Sequence, residues 1–274
     1  MTAVPVHYRI DCAPSLPADA PTMVMAGSLG STLEMWDAQA AVLARSARIV
    51  RFDIRGHGRT PMAGTTVGIS DLADDLLALL DRLDLGRVHL AGLSLGGMVS
   101  MSLASRRPDR VESLSVVCTS AYLPPARGWL DRAASVRAGG TGAVADAVVA
   151  RWFTPDFQWN RPEVVVRYRD MIASISPAGY AACCEAIAAM DLRADLASIT
   201  APTLVIAGSE DPATPPDHQR AIASAISGAR LEILGPAAHL ANVEQAEAVS
   251  SLLADQMGVP VGHPHGELQV EEGR

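Results

Sequence analysis

Gly92-Leu93-Ser94-Leu95-Gly96 sets a serine between two glycines, at the end of an apolar run and the start of a helical one. A serine hydroxyl is a weak nucleophile unless its oxygen stands exposed beside a base. The Gly-x-Ser-x-Gly spacing suits a strained strand-to-helix turn, where small neighbours make room for a crowded backbone. As a bare pattern it also fits a glycine-rich surface turn. The context decides: Val88-His89-Leu90-Ala91 reads as a short buried strand, and Met98 to Ala104 has helical composition. Ser94 is therefore read as a nucleophile.

Its base and orienting acid must come from elsewhere, and folds with this elbow supply them downstream, acid first and histidine second. Thr203 to Gly208 is a buried-strand pattern that runs into Ser209-Glu210-Asp211-Pro212, which puts Asp211 just past a strand end. Arg230 to Leu234 alternates as a strand and leads through Gly235-Pro236-Ala237-Ala238 to His239. In a parallel open sheet the carboxyl ends share one edge, and ligands bind there. Other roles fit each residue alone: Asp211 could cap the next helix, Glu210 is its neighbouring rival, and His239 could be a loop histidine. Together, in this order and at these strand ends, Ser94, Asp211 and His239 read as a catalytic triad.

Two glycine turns need separate readings. Ala26-Gly27-Ser28-Leu29-Gly30 follows the first buried strand, where a backbone N–H can complete an oxyanion hole. Its place assigns one donor to Leu29, and Leu95, next after the nucleophile, supplies the other. A plain glycine turn fits the same residues, but a dinucleotide loop does not, since the third glycine and acidic partner are missing. Arg55-Gly56-His57-Gly58-Arg59 also ends a strand. His57 precedes Ser94, against the expected order, so it is read as a structural turn histidine. His263-Pro264-His265 could hold a metal adventitiously, but no spacing elsewhere suggests a zinc or iron site, and no metal is expected.

The elements that position these residues alternate, as a mostly parallel sheet requires. Strands are expected at Val4–Asp11 (an antiparallel edge), Thr22–Ala26, Arg48–Ile54, the elbow strand, Val111–Cys118, Thr203–Gly208 and Arg230–Leu234. Helices are expected at Thr32–Ala44, Ser70–Leu83 with Ser70 as N-cap, after the elbow, and over Gln219–Ser227 and Val243–Met257. Between Pro124-Pro125 and Ala197 the pattern turns wholly helical, and this stretch holds Trp129, Trp152 and Trp159. The expected organisation is a core of residues 1–121 and 197–258, a helical cap over 122–196, and a loose polar tail over 259–274.

Composition narrows the class. A chain of 274 residues suits one large α/β domain with an insertion, and 49% hydrophobic residues supply its core. A net charge of −8 argues against nucleic-acid and anionic-membrane partners, though not against an anionic small substrate. Cys12, Cys118, Cys183 and Cys184 show no Cys-x-x-Cys pair and read as small hydrophobes in a reducing compartment. No signal-like N-terminus or long apolar run is visible, so a cytoplasmic enzyme is expected. A homo-oligomer is compatible with the chain.

Several segments resemble the 3-oxoadipate enol-lactonases, α/β-hydrolases of the β-ketoadipate pathway of aromatic catabolism. They are Gly27 to Asp37, Arg55-Gly56-His57-Gly58, Gly92 to Gly97, Arg151-Trp152-Phe153-Thr154-Pro155, Gly179-Tyr180-Ala181-Ala182-Cys183-Cys184-Glu185-Ala186-Ile187 and Ala238 to Gln245. The likeness spans roughly residues 5 to 257 and includes the cap, whose sequence separates subfamilies better than the elbow does. Gly27 departs from it, since relatives often carry Asn or His there, so only the backbone part of the oxyanion hole carries over. Some relatives continue into a carboxymuconolactone decarboxylase. Only a short tail follows residue 258, and that second activity is not expected.

The resemblance implies an α/β-hydrolase fold and hydrolysis of a small anionic enol-lactone through an acyl-enzyme, with no metal or organic cofactor. The substrate carboxylate calls for a cation in the pocket. Arg132 is the first candidate and Arg151 its rival, with Trp129 and Trp152 as further pocket residues; a surface position fits either arginine as well. A general carboxylesterase or perhydrolase would share the triad and differ in the cap. A ligand receptor of the same fold would turn over an ester once or not at all.

Overall fold

In the computed structural model, residues 3–262 and 267–274 are described. The strands are β1 (Tyr8–Cys12), β2 (Thr22–Ala26), β3 (Arg48–Phe52), β4 (Val88–Leu93), β5 (Val111–Val117), β6 (Thr203–Gly208), β7 (Arg230–Leu234) and β8 (Gln269–Gly273). The helices are α1 (Asp37–Leu43), α2 (Ile69–Arg82), α3 (Leu95–Arg106), α4 (Ala126–Gly139), α5 (Gly142–Trp152) and α6 (Pro155–Asn160). They continue with α7 (Pro162–Ser174), α8 (Pro177–Ala189), α9 (Pro216–Ala225), α10 (Ala241–Glu244) and α11 (Ala246–Met257). These strands join one sheet in the order β7-β6-β5-β4-β2-β3-β1-β8, in which β1 alone runs against the rest and so pairs antiparallel with both β3 and β8.

The expected alternation is present. Strands β4 and β6 are buried at every residue, as strands covered on both faces must be, so they read as apolar runs. The chain runs β2 to β3 in one direction along the sheet, then returns past β2 to β4. The order therefore reverses between β2 and β4, which is where open α/β sheets bind ligands. Helix α3 leaves that point almost wholly buried from Leu95 to Ala104. Helices α4 to α8 form the insertion between β5 and β6, entered and left side by side through a bridge between Tyr122 and Asp191. Among the described residues no single helix is long and apolar enough to cross a membrane.

Three local expectations differ from the structure. The helix expected at Thr32–Ala44 opens as a 3₁₀ turn at Leu33–Trp36. Ser70 lies inside α2; the N-cap is Gly68, whose N–H donates to Asp71 Oδ2 at 2.7 Å. The tail is not loose throughout, because β8 pairs antiparallel with β1 from Gly273 opposite Tyr8 to Gln269 opposite Cys12. A polar, solvent-facing edge strand has no apolar pattern to betray it. Its anchor is charge: Glu272 accepts from Arg9 Nη2 at 2.7 Å and Arg59 Nη1 at 2.7 Å. Those two guanidiniums hold its carboxyl down to about 2. His263 and His265 lie outside the described residues.

Candidate active site

Ser94 sits between β4 and α3 at φ 55°, ψ −115°, a conformation costly for a residue with a side chain, about 1–3 kcal/mol. The surroundings force it. Ser94 N–H donates to Val117 O at 3.0 Å, and Thr119 Oγ1 donates to Ser94 O at 2.6 Å. The flanking glycines are required by contact: a Cβ on Gly92 would overlap the Gly96 carbonyl, and one on Gly96 would overlap the Ala26 carbonyl. The sequence Gly-x-Ser-x-Gly is thus the imprint of two backbone crossings. Ser94 is 8% exposed, with its side chain on the cavity.

Past β6 and β7, Asp211 and His239 meet. His239 Nδ1 lies 2.8 Å from Asp211 Oδ2, and each residue is 3% exposed. Asp211 is further fixed by its own turn, where Oδ1 accepts the N–H groups of Ala213 at 2.8 Å and Thr214 at 3.0 Å. Thr214 Oγ1 adds a bond to Oδ2 at 2.7 Å. Burial alone would raise the Asp211 carboxyl, but His239 and these donors hold it below its ordinary value. Capping the local turn and orienting the histidine are therefore both roles of one carboxylate. Glu210, the rival acid, is exposed. Thr214 was not singled out in the sequence; an Asp with Thr three residues on was its only trace.

The oxyanion-side loop is pinned to the elbow, since Gly96 N–H donates to Gly27 O at 2.9 Å. Its other amides are occupied by the protein. Ser28 N–H points to Met35 Sδ at 3.1 Å, Gly30 N–H to His57 Nε2 at 3.0 Å, and Ser31 N–H to Ser28 O at 3.1 Å. Thr32 N–H faces Met171 Sδ at 3.5 Å, and Leu33 N–H donates to Asp53 Oδ1 at 2.9 Å. Leu29 N–H alone in this run has no partner among the described residues, and Leu29 lines the cavity. Leu95 opens α3, where the first amides have no intrahelical acceptor.

The cavity above Ser94 and His239 measures about 110 Å³, far below the ~300 Å³ where drug-sized sites begin. It suits a small molecule. The helical insertion forms much of its wall through Trp129, Arg132, Arg151 and Trp152. Arg132 stacks over Trp129 at 4.6 Å from the ring centre. Neither arginine forms an ion pair among the described residues. Burial, then the like charge of Arg132, pull Arg151 below the ordinary arginine value. Two cations thus line one small cavity. Trp159, by contrast, is 86% exposed on α6.

The His239 loop is bonded to the insertion. Glu244 accepts Thr154 N–H at 2.9 Å, Thr154 Oγ1 at 2.7 Å and Ala238 N–H at 2.5 Å, while Leu240 N–H donates to Trp152 O at 2.9 Å.

A mostly parallel eight-stranded sheet with a serine elbow, and an Asp–His pair at later strand ends, defines a hydrolase class. The model of the alpha/beta hydrolase fold matches residues 21–246, and the chain belongs to that family. Among relatives, 3-oxoadipate enol-lactonase 2 of Acinetobacter baylyi is 37% identical over 84% of this chain and 86% of its own. Enol-lactonase 1 of the same organism is 34% identical over the same shares. Among solved structures, the enol-lactonase from Burkholderia xenovorans LB400 superposes with a TM-score of 0.89 at 39% identity, covering 92% of this chain and 96% of that one. The chain is accordingly an ester hydrolase by family, and it is similar to enol-lactonases.

Proposed function

We propose that this enzyme hydrolyses 3-oxoadipate enol-lactone to 3-oxoadipate through an acyl-enzyme on Ser94. The observation that carries the reading is a pair of arginines, neither in an ion pair among the described residues, lining the same small cavity as Ser94 and His239. A neutral ester gives no reason for two cations in this wall, one of them, Arg151, partly desolvated, whereas a lactone bearing a free carboxylate does. The likeness to enol-lactonases supports the same substrate, in the β-ketoadipate pathway, and four free thiols suit a reducing cytoplasm.

Ionised Asp211 keeps the His239 proton on Nδ1, which leaves Nε2 as the base for the Ser94 hydroxyl. Ser94 Oγ bonds to the lactone carbonyl carbon as its proton passes to Nε2. The negative oxygen turns to the N–H groups of Leu29 and Leu95, each such donor contributing about 3 kcal/mol. The tetrahedral centre collapses, the ring C–O bond breaks, and the leaving enolate takes the proton from His239 Nε2 and settles as the ketone, which leaves His239 neutral again. Water then gives a proton to His239 and its oxygen to the acyl carbon, releasing the second carboxylate and restoring Ser94. One water is consumed.

Ser94→Ala tests the assignment. Turnover of the lactone should vanish with the fold intact by circular dichroism. Retention of more than about one hundredth of the activity would overturn it, since losing a triad nucleophile costs far more.

A further inference from the structure

The Arg55–Gly58 turn reads from the sequence as structural, yet its histidine reaches the oxyanion loop. His57 is 1% exposed, and its Nε2 lies 3.0 Å from the Gly30 backbone nitrogen. Its Nδ1 faces the carbonyl of Arg55 at 3.3 Å. A backbone amide donates only, and a carbonyl accepts only, so one tautomer satisfies both: proton on Nδ1, lone pair on Nε2. Burial, the larger influence, keeps the ring neutral by lowering its pKa to about 4.

Gly30 directly follows Leu29, which lines the cavity and whose amide has no partner among the described residues. Upstream of Leu29, the loop is fastened to the elbow through Gly27 O and Gly96 N–H. Downstream, the Gly30 N–H to His57 bond fastens it, at a residue with φ +88°. The Leu29 peptide is held between these two points. His57 is in turn held by α8. The Tyr180 ring stacks on it with centres 6.5 Å apart and planes 28° apart, and the Gly56 and Gly179 backbones touch so closely that a Cβ on either would overlap the other.

We infer that His57 is a positioning residue for the hydrolysis: by accepting the Gly30 amide it aims the Leu29 N–H at the developing oxyanion, and helix α8 of the cap holds it there. The inference rests on the proposed role of Leu29 as an oxyanion donor. A misdirected donor costs rate and leaves ground-state binding alone, because the oxyanion exists only in the transition state.

The test uses the full chain with p-nitrophenyl acetate as substrate and a small alkylboronic acid as a mimic of the tetrahedral oxyanion. His57→Leu removes the acceptor. His57→Gln replaces it, since the Gln Oε1 reaches about as far as Nε2. His57→Leu should lower kcat roughly 10- to 100-fold, weaken the boronate by a similar factor and leave KM within about threefold. His57→Gln should recover most of both losses. Wild-type kcat and boronate affinity in His57→Leu would overturn the inference, as would equal damage in both variants. If His57→Leu does not fold, ¹⁵N NMR of the wild type decides: a non-protonated His57 Nε2 coupled to the Gly30 amide supports the inference, and a protonated Nε2 overturns it. Ser94→Ala serves as the control. Surviving turnover there would refute the serine mechanism itself, whereas a dead Ser94→Ala beside a fully active His57→Leu refutes only the role of His57.

Discussion

Replacing a cap arginine with methionine should separate two substrates that the triad treats alike. Methionine keeps an apolar stem while the charge goes. In the lactone complex the lost cation leaves a desolvated carboxylate short of a partner, which costs about 2–5 kcal/mol. At about 1.4 kcal/mol per decade this is a loss of roughly 30- to 4,000-fold in kcat/KM. The structure ranks the variants. Arg151 is the more desolvated cation, with its pKa pulled down by burial and by Arg132. Arg151→Met should therefore fall nearer the upper end and Arg132→Met nearer the lower. A neutral aryl ester has no carboxylate to lose, and its kcat/KM should change only a few-fold in either variant. Spectrophotometric assays of both substrates at fixed ionic strength read the ratio. An equal loss on both would make the arginines structural, and no loss on the lactone would refute the carboxylate clamp.

Other consequences follow from the buried groups. Asp211→Asn should lower kcat by about four orders of magnitude, because the amide favours the wrong histidine tautomer, while exposed Glu210→Gln should be mild; the reverse ranking would move the acid to Glu210. His57 gives a stability signature: between its unfolded value of 6.5 and its folded value of about 4, the unfolded chain binds a proton that the native state refuses. Stability should therefore rise with pH across that window, being present in full above 6.5 and lost as pH falls through about 4, by about 3 kcal/mol in all. Urea unfolding at pH 7 and 4.5 should show His57→Gln losing about 2–3 kcal/mol less than wild type, and parallel pH slopes would contradict a neutral buried His57.

The sequence exposes residues whose neighbours in space are also their neighbours in the chain. Ser94 announces itself because the crossings that strain it require Gly92 and Gly96, two residues away on either side. Asp211 and His239 are legible because apolar strands end just before them. Thr214 and Glu244 are fainter, because each also bonds a residue far off in the chain: His239 for one, Thr154 in the cap for the other. Strand β8 is hidden for the opposite reason. It buries nothing apolar, and the charges that hold it, Arg9 and Arg59, lie more than two hundred residues upstream.

The segments that carry the family resemblance form three joints. The Gly27 loop and the elbow meet through Gly27 O and Gly96 N–H, which sets the backbone around Leu29 and Leu95 relative to each other. The Arg151–Pro155 segment and the His239 loop meet through Glu244, Thr154 and the Leu240–Trp152 backbone bond, which ties the base to the cap. The Arg55–Gly58 turn and the Gly179–Ile187 segment meet at two touching glycines and at the His57–Tyr180 stack. Two of the three joints cross from the core to the cap, and both use backbone groups or glycines, which leave little room for repacking. A change in the cap's seating therefore reaches the histidine and the oxyanion loop directly. On this geometry the cap does more than close over a small lactone: it supplies the two cations and braces the catalytic loops, so exchanging it for the cap of another esterase should damage rate as well as specificity.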